Sequence, residues 1–392
     1  MQDAAQFLRS GQFPAAIEAY QKILKASPRD LKVTLGLAAA YRGVFNYDET
    51  RRLLRQVSAR YPKSAAALVE LGKLDIHQQR YDDAIEHLTQ AVRRQPSLPA
   101  AHEQLGVAYQ AKGDDATALK HLSEAVRLDP HSASAHYFRG SLYADHDDYV
   151  HAYQDAQEAD RIDPNAQTRV LLAKAATHTG KCDEAVTLLK PVSESESADP
   201  ANLYLLSRAY KCAGQPDLAQ QAQDEFEARS KRTQEIRTQK MDADHLATQA
   251  GELARKNQLA EAMDLLHQAL AKDPENGPTL AVLAKIDFSR GDVAKAKDEI
   301  TTALRSDPYN PDYLYVLGKV LEKQSDANGA LQAFQQIVLV NPKESDAYFE
   351  MGEIYLQKGE RARGFQALKK AVELSPDDPD YQKAFAQAGA RK

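Results

Sequence analysis

Apolar positions in this chain come in pairs of short stripes at helical spacing. One pair is Leu68, Leu71 and Gly72, followed by Ala84, Ile85, Leu88 and Ala91. Spacings of three and four residues place each set on one face of a helix. A polar or glycine-containing break separates the stripes, as at Lys112, Gly113 and Asp114, and a turn such as Leu128, Asp129 and Pro130 closes the second. Proline cannot continue a helix and pushes the residue before it out of the α region. Nowhere does the period-two alternation of a strand occur. The pattern predicts helix, turn, helix, turn, repeated.

The pattern also has a fixed length. Prolines fall at 28, 62, 96, 130 and 164 and again at 274, 308, 342 and 376, in steps of 34 residues. With each proline set as position 32 of a unit, position 8 reads Ala4, Ala38, Gly72, Gly106, Gly140, Ala250, Ala284, Gly318 and Gly352. Position 20 reads Ala16, Thr50, Ala84, Ala118, Ala152, Ala262, Ala296, Ala330 and Gly364. Small residues at two fixed places predict close helix approach. Position 24 is mostly large and apolar: Tyr20, Leu54, Leu88, Leu122, Leu266, Ile300, Phe334 and Leu368. These side chains fill the space beside the small ones. A stack of equal units offers a surface rather than an enclosed reaction chamber.

Between Pro164 and Pro274 the register slips, because 110 residues are three periods plus eight. Two weaker units fit there, one with Leu172, Ala173, Gly180, Ala185 and Leu189, the next with Leu206, Ser207, Tyr210, Gly214 and Ala219. Pro191 and the run from Ser193 to Asp199 predict a polar loop. After Pro216 there is no proline or glycine until Gly251, and Asp224 to Lys240 is highly charged, with Phe226 and Ile236 among its few apolar residues. A long, mostly solvated helix joining two stacks is expected, with a loose linker as the alternative. The chain closes with Pro379 and then Tyr381, Ala384, Phe385 and Ala388, opposite Gln382, Lys383 and Gln387. That spacing predicts a helix capping the last apolar face. Met1 falls at position 5 of the first unit, so the first helix is clipped and an upstream segment is expected to have been removed. The expected divisions are a stack over 1–223, a charged connecting helix over 224–242, a second stack over 243–376, and a capping helix and tail over 377–392.

Leu105, Gly106, Tyr109, Gly113, Ala118, Leu122, Ala125 and Pro130 carry a family signature. In kind and spacing they resemble the tetratricopeptide repeat, and the resemblance covers nearly the whole chain. The tryptophan usual at position 4 is missing throughout, as is common in this degenerate family. The resemblance implies an all-α fold: a right-handed α-solenoid of about eleven helix-turn-helix hairpins with a C-terminal capping helix.

Composition narrows the function. The formal charge is −6 and the pI about 6.0, against the basic face that nucleic acid requires. No apolar run approaches the ~20 residues needed to span a bilayer, and the numbered chain shows no signal peptide. An exported or periplasmic location is expected if an upstream signal was removed, and a cytoplasmic one otherwise.

The two cysteines are Cys182, opening the second helix of the sixth unit, and Cys212, near the end of the first helix of the seventh. In the family's stacking those helices are antiparallel neighbours with these ends at one level. The resemblance therefore permits a disulfide, which would imply an exported protein. Two free apolar fillers are the alternative.

No reactive constellation stands out. The eleven histidines are scattered, and His146 and His151 are five apart, off a shared helical face. Asp83 and Glu184 suit the start of a second helix electrostatically. Glycines are spaced for packing and turns, not for a phosphate loop. Neither a catalytic residue nor a metal or other cofactor is expected.

The family resemblance places positions 2, 5, 9, 12 and 13 of the first helix on the concave face. Carried over, one sub-site holds Lys174, Tyr204, Arg208 and Lys211, and another holds Lys285, Phe288, Tyr315, Lys319 and Lys323, with Phe349 beyond. Aromatics beside cations suit an extended peptide with acidic groups or a free carboxylate. The asparagines of the carboxylate clamp in chaperone-binding relatives are absent, so chaperone tails are not the expected partner. The expected function is a non-catalytic scaffold for a protein or peptide partner. Self-association as an envelope component and service as the non-catalytic part of a larger enzyme remain as alternatives.

Overall fold

The computed structural model describes residues 2–195 and 198–390. Met1, and Glu196 and Ser197 of the expected polar loop, lie outside the described residues. Every regular element among the described residues is a helix. In chain order they begin α1 (Gln2–Arg9), α2 (Phe13–Ala26), α3 (Leu31–Gly43), α4 (Tyr47–Arg60), α5 (Ala66–His77), α6 (Tyr81–Arg94), α7 (Pro99–Ala111) and α8 (Asp115–Leu128). There follow α9 (Ala133–Asp145), α10 (Tyr149–Ile162), α11 (Ala166–His178), α12 (Cys182–Ser193), α13 (Pro200–Cys212) and the long α14 (Pro216–Arg255). The rest are α15 (Leu259–Lys272), α16 (Gly277–Arg290), α17 (Val293–Ser306), α18 (Pro311–Lys323), α19 (Ala327–Val340), α20 (Ser345–Gln357), α21 (Arg361–Leu374) and α22 (Pro379–Ala390).

One backbone feature fixes the register. Each hairpin turn holds a left-handed residue, at 11, 45, 79, 113, 147, 180, 214, 257, 291, 325 and 359. Glycine supplies it at Gly113 (φ 81°), whereas Phe45, Gln79, Asp147, Asn257 and Ser325 adopt it with side chains. The steps are 34 residues except for 33 between Asp147 and Gly180 and 43 between Gly214 and Asn257. The slip of eight is thus one deletion and one insertion of nine. Eleven hairpins result among the described residues, the seventh and eighth sharing α14.

The packing rule reads through most units. Leu88, Leu122, Leu266, Ile300, Phe334 and Leu368 at position 24 are fully buried. Gly72, Gly106, Gly318 and Gly352 at position 8 make room for the partner sixteen residues on. A Cβ on Gly106 would stand 2.6 Å from Leu122 Cγ, and one on Gly318 would stand 2.5 Å from Phe334 Cζ. The fifth hairpin has Ala156 at position 24 and fills the site with buried Asp155, which accepts from Arg139 at 2.7 Å and pairs with His136 at 2.7 Å.

The residues group into two compact units. One is Arg51–Gln234. Its core in the later hairpins packs Leu203, Leu206 and Tyr210 of α13 against Ala219 and Ala222 of α14. Pro191 lies inside α12, in its last turn, so the helix runs to Ser193 where a loop was expected from Pro191 onward. Proline is tolerated there because few further intrahelical bonds remain to be lost.

The other unit is Met1–Thr50 with Glu235–Lys392. Ala250 of α14 packs with Ala262 and Leu266, and successive clusters run through α16–α18 and α18–α21. α22 ends the series with Tyr381 buried and Phe385 against Phe365, ring centroids 4.8 Å apart. This grouping places residues 1–50 with the C-terminal hairpins, unlike the division at 223 and 243 expected from sequence. The charged connector at 224–242 is part of one continuous helix, and all of residues 231–242 are exposed, Ile236 (55%) and Met241 (63%) included.

Candidate functional site

Helical spacing brings the first set of groove residues together within the unit Arg51–Gln234. Lys174 and His178 lie one turn apart on α11; Tyr204, Arg208 and Lys211 follow the same spacing on α13. Arg208 donates to His178 Nε2 at 3.2 Å, so that nitrogen carries a lone pair and the imidazole is neutral. Burial, then the charges of Arg208 and Lys174, hold His178 below the usual histidine range. Its ring stacks on Tyr149 with centroids 3.7 Å apart. Tyr204 is 44% exposed and tilts against Phe226, while Lys211 is exposed. His178 was not among the expected residues, although its register position, 13, was the signal that marked it. Beside Lys211, Cys182 and Cys212 are joined by a disulfide, Cα to Cα 5.4 Å, pinning the start of α12 to the end of α13.

The second set divides in the other unit. Lys285 stands on the wall of an open groove of about 610 Å³ between the end of α14, α16 and the first turn of α18. Its floor is apolar, with Gly251 and Ala254 from α14 and Val282 and Ile286 from α16. Arg255 reaches the same groove, and register position 13 would have found it too. The ion pairs nearby are Lys272–Asp242, Lys295–Asp287 and Lys319–Glu350; Arg255 and Lys285 enter no ion pair among the described residues. Phe288 is half-buried and packs on the core of α16 to α18, which makes it a wall of the fold more than a presented ring.

Further along, the expected cationic surface is compensated from within. Glu350, itself buried, accepts from Tyr315 Oη at 2.9 Å and from Lys319 Nζ at 3.0 Å, and Lys319 also binds Glu322 at 2.8 Å. Burial, reinforced by Glu350, pushes the Tyr315 hydroxyl well above the usual tyrosine range. Burial works against the charge of Lys319, but the bonds to Glu322 and Glu350 prevail and raise its pKa. Phe349 stacks on Tyr381 of α22 at 4.9 Å. Asp346, Glu350, Glu353, Asp378 and Asp380 surround these rings in a pocket of about 400 Å³ with Lys383 as its cation. This end is acidic. Lys323 remains exposed.

Family models match along the chain. A model described as the N-terminal ARM repeat of tetratricopeptide repeat protein 21 covers residues 136–360, more than half of the sequence. Tetratricopeptide-repeat models cover 6–43, 44–104, 76–142 and 345–378. The chain is a tetratricopeptide-repeat protein. Proteins of this family are generally non-catalytic scaffolds, and the fold is consistent with protein–protein interaction.

Solved structures are similar to parts or all of the chain at low identity. The chain is similar over 46% of its length to 98% of TTC0263, a thermophilic tetratricopeptide-repeat protein of Thermus thermophilus, at 24% identity and TM-score 0.36. It is similar over 43% of its length to 92% of MamA, at 20% identity and TM-score 0.37. Against the APC/C hetero-tetramer Cut9–Hcn1 the coverage is 98% and 95%, at 13% identity and TM-score 0.35. No curated protein sequence matches the chain. Among the described residues no helix is long and apolar enough to cross a membrane, and no three metal-ligating side chains gather in a tetratricopeptide-repeat groove or elsewhere.

Proposed function

We propose that this tetratricopeptide-repeat protein is a non-catalytic scaffold that binds extended protein segments along the first helices of its hairpins. The observation that carries this reading is the groove between α14 and α16. There an apolar floor lies beneath Arg255 and Lys285, which are exposed and free of ion pairs among the described residues. Desolvated apolar contact supplies affinity in such sites, and uncompensated charge supplies specificity and rate. On this reading Lys174, Tyr204, Arg208 and Lys211 on α11 and α13 are a second contact point, with Tyr204 44% exposed as its aromatic.

The test is capture of partners by the purified chain, repeated with Tyr204→Ala, Arg208→Ala and Lys285→Glu variants that retain the helical spectrum. Loss of the same partners from these variants supports groove binding. Retention in all three, with loss on altering exposed second-helix residues, moves the function to the other face.

A further inference from the structure

We infer that the groove between the end of α14 and α16 is a docking site for an extended protein segment that carries an acidic residue beside a large apolar one. This rests on the scaffold reading above and adds what the segment must contain. The carboxylate lies between Arg255 and Lys285, and the apolar side chain fills the depression over Gly251.

Gly251 is the informative residue. Glycine in a helix interior is unfavourable relative to alanine, so it calls for a reason. Packing is not that reason. A Cβ built there would meet only Val282 Cγ2, at an ordinary 3.7 Å, whereas one on Gly318 would collide with Phe334 at 2.5 Å. The fold therefore has room for a side chain at 251 and leaves that volume to the groove. Ala247 and Ala254, one turn to either side, keep the floor low, Val282 and Ile286 continue it on α16, and Pro278 lines the groove beside them. The volume of about 610 Å³ lies within the range of clefts that hold ligands.

Charge selects the occupant. Arg255 and Lys285 are the two cations at the groove and Asp312, at the first turn of α18, is its single carboxylate. Further along, Lys319 is engaged by Glu322 and Glu350, and Lys295 by Asp287. A guanidinium and an ammonium without counter-ions over an apolar floor complement a carboxylate attached to an apolar chain. A basic segment would instead be repelled where it must enter.

The experiment uses the full chain and three fluorescein-labelled peptides with a central leucine flanked by aspartate, by serine or by lysine. Fluorescence anisotropy should show the aspartate-flanked peptide binding at least about tenfold more tightly than the lysine-flanked one, with the advantage shrinking as salt rises. Gly251→Leu should weaken it about tenfold or more while the helical spectrum is kept, and Arg255→Glu with Lys285→Glu should reverse the preference. Equal binding of all three peptides, binding of none, or affinity indifferent to Gly251→Leu overturns the inference. So does laurate, an apolar chain with a carboxylate, if it binds in a Gly251→Leu-sensitive way where the peptides do not. If the aspartate-flanked peptide binds but is lost only with Arg208→Ala, this groove is dismissed and the scaffold reading stands. If no peptide binds and captured partners are lost only from second-helix variants, both fail.

Discussion

Asn46 Nδ2 donates a 2.6 Å hydrogen bond to the carbonyl of Leu339, 293 residues further along the chain. Both residues belong to the unit formed by Met1–Thr50 and Glu235–Lys392. The amide serves two helix ends at once. Its Oδ1 accepts from Glu49 N at 3.0 Å at the start of α4, and its Nδ2 satisfies a carbonyl in the last turn of α19, where no intrahelical partner exists. Asn46 is 2% exposed, so water cannot replace either bond. Lys343 and Asp48 add an exposed pair at 3.6 Å.

Asn46→Ala removes a helix cap, worth about 1 kcal/mol, and leaves a carbonyl unmet, worth about 1–3 kcal/mol. A combined loss of roughly 2–4 kcal/mol in urea unfolding is expected. Asp48→Ala, in an exposed pair, should change stability by less than about 0.5 kcal/mol. Equal effects of the two would mean that Asn46 carries no special weight.

Two glycines seven residues apart should fail for different reasons. Gly106→Leu overpacks against Leu122 and should lose about 1–3 kcal/mol. Gly113 has nothing within 4 Å of a built Cβ but holds φ at 81°. Gly113→Ala should therefore lose about 1 kcal/mol by backbone strain alone. Gly113→Asn should recover most of it, since asparagine tolerates that conformation, and no asparagine would rescue Gly106.

Buried Asp287 faces Glu299, and one lysine serves both: Lys295 Nζ lies 2.6 Å from Asp287 and 3.6 Å from Glu299. At the same register positions of the third hairpin, Asp75 instead meets His87 at 2.8 Å and the guanidinium groups of Arg51 and Arg80. Burial, then the Asp287 charge, pushes Glu299 up to about 7. The folded state thus holds a proton that the unfolded chain releases near pH ~4.3. The associated stability is fully present below that value and is lost as pH rises through about 7. Unfolding free energy should fall by on the order of 2–3 kcal/mol between about pH 5 and pH 8 on this account, and Glu299→Gln should flatten the profile. A profile unchanged by Glu299→Gln contradicts it.

The disulfide closes a 30-residue separation between Cys182 and Cys212. Thiol titration of the denatured, unreduced chain should find no free thiol. Reduction should lower stability by about 2–4 kcal/mol, chiefly in the unit Arg51–Gln234. Two titrated thiols would show the pair to be open.

Much of this was legible in the sequence because it is local and repeated. Leu122 and Gly106 recur with their partners at one spacing in unit after unit, and the prolines mark each second-helix end. The same register holds His178 and Arg255 at position 13, one of those expected to line the groove, so those two were within reach. Other features depend on neighbours remote in sequence. Tyr315 and Lys319 read as free groove residues until Glu350, more than thirty residues away, is seen to hold both. Phe288 reads as a presented aromatic until the α16–α18 core encloses it. Pro191 reads as a helix stop, yet in a last turn it breaks little. No periodicity links Asn46 to Leu339, so residues 1–50 could not be assigned to the C-terminal hairpins from pattern alone.

Site-specific photo-crosslinking tests the scaffold most directly. A photoreactive residue replaces Val282, which lines the groove, or Thr301, exposed on α17, and each full-length chain is irradiated in extract of its source cell. The account predicts a defined protein adduct from position 282, suppressed by Gly251→Leu and by the aspartate-flanked peptide, and none of that adduct from position 301. An adduct from position 301 that forms equally in the Gly251→Leu chain, with nothing from 282, would contradict it.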